Sequence, residues 1–132
     1  MLADIPRLIR IRGAVRENRL SDPGLATAAD YRRYVVQAQC WVAEVDGKIV
    51  GFSALDAEQA SVWALFVAPA AAGRGTGKLL LDALVTDARR RGLPLLRLET
   101  EAGSRAESFY RGAGWSVVAQ DSDGTLKLER AL

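Results

Sequence analysis

The sequence predicts an α/β fold, a mixed β-sheet with helices on both faces, and three observations carry that expectation. Apolar runs of strand length alternate along the chain with segments of helical period. The pair Asp46-Gly47 separates two of the apolar runs, as a tight hairpin turn does. A further run, Ser61 to Val67, passes through a glycine-rich turn straight into an amphipathic helix.

The elements follow in order. Asp4 suits an N-cap and Pro6 a first helical turn, and the helix is expected to reach about Leu20. Leu8, Ile11, Val15 and Leu20 form its apolar stripe, and Ser21-Asp22-Pro23-Gly24 ends it. Thr27 caps a second helix through Asp30 and Tyr34 to about Ala38. Trp41 to Val45 and Ile49 to Leu55 read as the arms of the Asp46-Gly47 hairpin, and Ser61 to Val67 as the next strand. The long helix runs from Gly75 to Arg91, with Leu80, Leu81, Leu84, Val85 and Ala88 facing inward. Arg89, Arg90 and Arg91 complement its C-terminal dipole and Gly92 caps it. A strand from Pro94 to Thr100, a helix from Ser104 to Gly112 and a strand from Trp115 to Ala119 come next. Asp123-Gly124 then turns into a final strand, Leu126 to Leu132.

Composition narrows the function classes. A length of 132 residues, 49% of them hydrophobic, fits one domain with a real core, residues 1–132. No run of about 18 apolar residues is present, so no membrane span is expected. Pro6 and several arginines break any apolar stretch at the N-terminus, which argues against a signal peptide. Cys40 is the sole cysteine, consistent with a reducing, cytoplasmic setting. No histidine and a single cysteine argue against a zinc site, and the missing histidine excludes a Ser-His-Asp or Cys-His nucleophile system. A net charge of +2 is too small to argue for nucleic acid. Arg7, Arg10, Arg12, Arg16 and Arg19 read as the solvated face of the first helix, with an acidic acceptor or an RNA-bound partner as the alternative.

The glycine-rich turn is the strongest chemical signal. It reads Ala72-Gly73-Arg74-Gly75-Thr76-Gly77-Lys78, and the helix follows at once. Glycines let the backbone approach a ligand closely, and a helix N-terminus offers unpaired N–H groups and partial positive charge. Such a turn binds phosphates. It is not a Walker A loop, because Ala72 replaces the first glycine and Leu79 the magnesium-binding hydroxyl. It is not a dinucleotide fingerprint, because the third glycine is missing at the required spacing.

Arg74-Gly75-Thr76-Gly77, following a strand that ends Val67-Ala68-Pro69, resembles the GNAT N-acetyltransferase superfamily, whose loop reads Q/R-x-x-G-x-G/A. A second block, Ala106 to Trp115 with Phe109, Tyr110 and Gly114, resembles the family's A-x-x-x-Y-x-x-x-G-F/W. The chain departs from the family at Ala72, where Gln or Arg is usual, and at Gly103, where many members carry Asn. Ser104 is the candidate for that cofactor contact. The family's first strand is short or missing here, since Asp4-Ile5-Pro6 comes three residues in.

The resemblance implies a sheet whose central parallel strands, ending at Val67 and Thr100, splay apart to admit acetyl-CoA. It implies transfer of an acetyl group from that cosubstrate to an amine by direct attack, with no metal. Gly73, Arg74, Gly75, Thr76, Gly77 and Lys78 would hold the pyrophosphate, and the backbone of Leu65, Phe66 and Val67 the pantetheine arm. Tyr110 would be the general acid, since a phenol can protonate a thiolate. Glu99 is the candidate base, with Glu101, Glu44 and relayed water as alternatives. The acceptor would be a small-molecule or peptide amine, lined by residues 18–27 and 56–60, and a homodimer is left open. Trp41, Trp63 and Trp115 read as core or pocket walls, and Cys40 as a small core residue. The competing reading is a non-catalytic CoA-binding regulatory or interaction module.

Overall fold

The computed structural model describes residues 2–14, 29, 32 and 39–132. Six strands form a single sheet in the order β1-β2-β3-β4-β6-β5. They are β1 (Cys40–Val45), β2 (Lys48–Asp56), β3 (Ser61–Val67), β4 (Leu95–Glu101), β5 (Ser116–Gln120) and β6 (Thr125–Ala131). The α-helices bounded within the described residues are α1 (Ile5–Ala14), α2 (Thr76–Arg90) and α3 (Arg105–Gly112). The strand boundaries fall within one or two residues of those read from the sequence. Among the described residues no strand precedes α1; a short 3₁₀ turn, Leu2–Asp4, leads into it. The predicted second helix lies outside the described residues except for Ala29 and Arg32, which are helical, and so do Val15 and Leu20 of the first stripe.

The β1–β2 hairpin turns at Asp46 (φ 52°) and Gly47 (φ 79°). Both are left-handed, the geometry whose twist matches the flanking strands, and a short polar residue followed by glycine reaches it at little cost. β2 then pairs antiparallel with β3, while β3 runs parallel to β4.

Each sheet face carries its own core. On one face Leu81, Leu84, Val85 and Ala88 of α2 meet Leu55, Leu96, Leu98, Leu126 and Leu128 of the sheet and Tyr110 of α3. The five inward residues of α2 are those that the helical period picks out. On the other face Ile5, Leu8 and Ile11 of α1 cover Ile49, Phe52, Ala54, Ala64 and Phe66. Arg7 Nε donates to the Ile49 carbonyl at 3.0 Å, so one of the predicted surface arginines anchors α1 to β2. Ser53 Oγ, buried in β2, donates to the Leu80 carbonyl at 3.1 Å and fixes α2 against the opposite face.

Two irregularities shape the centre of the sheet. Ala54 faces Ala64 and Leu55 faces Val62, which leaves Trp63 between the two pairs as a bulge in β3. A bulge bends its strand and increases the local twist. Beyond it, β3 and β4 part: their register contains one pair, Ser61 with Arg97, supported by an Arg97 N–H to Ala60 carbonyl bond of 2.9 Å. The strands therefore meet at their N-terminal ends and diverge toward Val67 and Glu101, the splay that the family resemblance implies.

Gly51 in β2 shows how closely α2 is seated. A Cβ there would lie 3.0 Å from the Phe66 carbonyl oxygen and 3.1 Å from Leu80 Cδ1. Gly51→Ala is expected to lower unfolding free energy by about 1–3 kcal/mol, since backbone and a packed leucine must both give way. Gly112→Ala, at the end of α3 with nothing within 4 Å of the new Cβ, is expected to raise it by about 0.4–1 kcal/mol. Urea unfolding of the two variants checks both signs.

Candidate active site

The splay defines a cleft with three kinds of wall. The first is β3. Ala68 N–H donates to the Val50 carbonyl at 2.7 Å, across from β2. Backbone direction alternates along a strand. Phe66 therefore turns its N–H and C=O toward β2, while Leu65 and Val67 turn theirs toward the gap where β4 has departed. Of the three strand residues predicted to line the cleft, two face it with unused backbone groups. The third, Phe66, instead sends its ring to the α1 face, where it packs on Phe52 at 5.7 Å.

The second wall is the glycine turn. Gly73 (φ 80°) and Gly75 (φ 79°) are both left-handed, and a Cβ added to either would meet nothing within 4 Å. The loop is thus conformationally committed yet open on its outer side. Gly75 is the N-cap of α2, without a side-chain cap. The first intrahelical bond runs from Leu79 N–H to the Gly75 carbonyl, 3.1 Å. The N–H groups of Thr76, Gly77 and Lys78 precede it and belong to the unpaired first turn. Arg74 and Lys78 are exposed beside them.

The third wall is α3. A Cβ on Gly77 would lie 3.6 Å from Phe109 Cζ and 3.8 Å from Val67 Cγ2. The start of α2, the end of β3 and α3 therefore converge at one point, and the absence of a side chain at Gly77 lets them do so. Tyr110 lies next to this point but deeper, 7% exposed, with its ring edge-on to Phe109 at 5.2 Å and to Trp115 at 5.5 Å. Burial pushes its phenol well above the ordinary 10.0. Phe109, not Tyr110, lies directly against the loop.

Glu99 is exposed in β4, opposite Lys127 of β6. Leu96 and Leu98 point into the core beside Tyr110, so Arg97, Glu99 and Glu101 alternate to the other face. Tyr110 and Glu99 thus sit on opposite faces of the sheet, and Glu101, half-buried, shares the face of Glu99. Glu44 is exposed on the edge strand β1, two strands removed from the gap.

Ser104 is buried, and its hydroxyl is used within the chain. It donates to the Glu101 carbonyl at 2.7 Å and accepts from Glu107 N–H at 3.1 Å, as the N-cap of α3. Glu107 reaches back to Gly103 N–H at 2.7 Å. The S-x-x-E spacing of a capping box is legible in the sequence and accounts for Ser104 without a ligand. Cys40 lies at the edge of the sheet, half-buried, its thiol lifted by burial from 9.0 to about 11. A thiol so protonated is a poor nucleophile. A surface pocket of about 290 Å³ lies between Trp41 and the Asp82–Arg90 half of α2, apart from the glycine turn. Among the described residues no group of three or more Cys, Asp or Glu side chains could hold a metal ion, and no helix is long and apolar enough to cross a membrane.

Residues 37–117 match the acetyltransferase (GNAT) domain family model. The chain belongs to the GNAT acetyltransferase family. It is 37% identical over 86 residues to the peptidyl-lysine N-acetyltransferase YiaC of Escherichia coli, a match covering 64% of this chain and 55% of that one. The chain thus spans about half the length of that curated relative. The fold matches that of a ribosomal-protein-alanine N-acetyltransferase from Brucella melitensis over 100% of this chain and 96% of the other, at 22% identity and TM-score 0.75. It also matches a PaiA N-acetyltransferase from Thermoplasma acidophilum, whose structure is a complex with coenzyme A, over 99% and 94% of the two chains at 19% identity and TM-score 0.78. These likenesses bear out the expected family and mixed sheet. What sequence reading missed in this GNAT chain is Arg12. It was grouped with the solvated arginines, yet its guanidinium lies over the rings of Trp63 (5.2 Å) and Phe66 (5.0 Å).

Two predictions follow from these environments. Ser104→Ala is expected to destabilise the protein by about 1 kcal/mol, and Ser104→Asp to restore only part of it, because Asp can accept from Glu107 N–H but cannot donate to the Glu101 carbonyl. Thermal melts of both variants check this, and calorimetry with CoA asks separately whether the hydroxyl touches the ligand. For Cys40 the folded value lies above the ordinary 9.0. Its stabilising contribution is therefore complete below pH 9.0 and is lost as pH rises toward about 11. Wild type is expected to lose more stability than Cys40→Val over that interval, read by denaturant unfolding at both ends.

Proposed function

We propose that the chain is an acetyl-CoA-dependent N-acetyltransferase that moves an acetyl group to a peptide or small-molecule amine by direct attack. The observation that carries this reading is the convergence of the splayed edge of β3, the unpaired first turn of α2 and the Tyr110 helix. Acetyl-CoA supplies the acetyl thioester when bound. The donor set fits it: N–H groups from Gly73 to Lys78 and the charges of Arg74 and Lys78 suit a pyrophosphate. The free N–H and C=O groups of Leu65 and Val67 suit the amides of a pantetheine arm, paired as an added strand. An N–H from this edge would also polarise the acyl carbonyl.

Tyr110 Oη is assigned as the source of the proton that the leaving sulfur requires. Burial keeps the phenol protonated throughout the physiological range and makes it a reluctant donor until negative charge forms beside it. Glu99, on the exposed face, is assigned as the acceptor of the amine proton, directly or through water. Placement of acid and base on opposite faces suits a cleft that passes between two strands and opens on both. The names of the relatives, which specify peptidyl-lysine and ribosomal-protein alanine, support a protein or peptide amine. Burial of Tyr110 favours a second reading, a CoA-binding module without turnover.

Acetyl-CoA at one hundred times its dissociation constant is expected to add about 2.7 kcal/mol of stability; calorimetry without binding at millimolar ligand would refute the proposal. Gly75→Val is expected to abolish binding, and Gly124→Val, at a hairpin glycine of φ 87°, to retain it. The second variant carries the same backbone strain away from the loop. Tyr110→Phe is expected to lower kcat toward the smaller end of about 10²–10⁴-fold with acetyl-CoA affinity kept. An unchanged kcat with chemistry rate-limiting assigns Tyr110 to packing. Absence of turnover with every amine in proteins that bind CoA favours the second reading.

A further inference from the structure

We infer that Arg12, laid over Trp63 and Phe66, recognises a carboxylate on the acceptor, close to the amine that is acetylated. The inference rests on the proposed acetyl transfer and names a feature of its acceptor.

Arg12 is in the last turn of α1. Its guanidinium carbon lies 5.2 Å from the centroid of Trp63 and 5.0 Å from that of Phe66. Two aromatic faces hold the cation at a fixed height above β3. Nη1 of Arg12 is buried and has no hydrogen-bond partner. A buried, charged N–H left unpaired is costly, and an acceptor oxygen brought to it recovers that cost. Two other arginines are paired on their own helices. Arg91 pairs with Asp87 at 2.6 Å and Arg111 with Glu107 at 2.7 Å, each by i,i+4 spacing. Among the described residues no carboxylate is paired with Arg12 in this way.

Its position joins it to the cleft. Phe66 stands between Leu65 and Val67, whose backbone groups face the splay, and its ring projects to the α1 face directly beneath Arg12. Trp63, the bulged residue at which β3 turns away from β4, supplies the other ring. The guanidinium thus rests on rings from the same short strand segment that lines the cleft, on the face where Glu99 is exposed. The glycine turn lies against α3 on the other face through Gly77 and Phe109, so the phosphates of CoA would not reach Arg12. A group arriving with the amine would. A planar, permanently charged fork backed by aromatic rings suits a carboxylate. The carboxylate could belong to an acidic residue beside the target amine in a peptide, or to a free amino acid.

The test uses matched acceptors on the full chain. One pair is a lysine peptide with Glu or Gln as the neighbouring residue; the other is free lysine and lysinamide. Wild type is expected to favour the carboxylate member in kcat/KM by about 10- to 100-fold. The preference should appear in the peptide pair or the amino-acid pair according to the source of the carboxylate. Arg12→Gln is expected to collapse that ratio toward one through KM, and Arg12→Lys to keep part of it. Equal kcat/KM for both members in wild type, or a ratio that survives Arg12→Gln, overturns the inference. If no acceptor turns over, the products serve instead. Nε-acetyl-lysine peptides with Glu or Gln are titrated by tryptophan fluorescence in the presence of CoA, with Trp63→Phe as the reporter control. Tighter binding of the Glu peptide, lost in Arg12→Gln, supports the site even where catalysis fails; equal binding overturns it. Calorimetry with CoA alone reports separately on the acetyl-transfer reading.

Discussion

The departure of β3 from β4 is the constraint on which the rest of the molecule depends. Two parallel strands that begin in register at Ser61 and Arg97 would ordinarily continue to pair and bury both edges. Here the Trp63 bulge bends β3 just after that pair, and backbone groups of Leu65 and Val67 are left without a neighbouring strand. Unpaired strand edges invite a further strand. In this fold the edge is internal to the sheet, bounded by α1 on one face and by α2 and α3 on the other, so only a thin extended chain can complete it. The sheet is stable in spite of the gap because each half is closed elsewhere. β2 and β3 form one antiparallel unit, β4, β6 and β5 another, and α2 bridges the two through Leu80, Leu81, Leu84 and Val85.

The same bridge brings the glycine turn, proposed to hold phosphates, to the mouth of the gap. α2 can begin there only because β2 presents no side chain at Gly51 and α2 presents none at Gly77. The first omission lets Leu80 approach the sheet, and the second lets Phe109 approach the helix. Ser53, hydrogen bonded to the Leu80 carbonyl in the core, fixes the register of that contact. The glycines of this chain therefore divide by task. Gly73 and Gly75 supply left-handed backbone for the turn, whereas Gly51 and Gly77 supply room.

The sequence and the structure agree most where a periodic signal is long. The inward face of α2, the Asp46-Gly47 hairpin and the β3 strand are all legible, because burial at helical or strand spacing and positive-φ turns leave local marks. The splay was reached only through family likeness, since a bulge at Trp63 has no compositional signature in an apolar run. Ser104 carries a local mark of its own: Glu107, three residues on, completes a capping box, and the hydroxyl is engaged as the N-cap of α3. Arg12 was missed because helical charge patterns show which residues are polar and not which of them a neighbouring element covers. The separation of Tyr110 from Glu99 was equally hidden, since the face on which a strand residue emerges depends on which neighbours fill the core.

That separation bears on how protons would be handled. Tyr110 lies on the dry face, against Trp115 and Leu98, where a neutral phenol is favoured and water cannot compete to deliver the proton. Glu99 lies on the exposed face, where a proton taken from the amine could pass on to solvent. A cleft running through the sheet rather than over it would give the proposed acid a low dielectric in which to hold its proton and the proposed base an open one in which to discharge it. It also leaves the acceptor to enter from the wet side, past the α1 face on which Arg12, Trp63 and Phe66 are stacked. On the proposed reading, α1 and β3 would then contribute to the choice of amine independently of the turn and helix proposed to hold the cofactor.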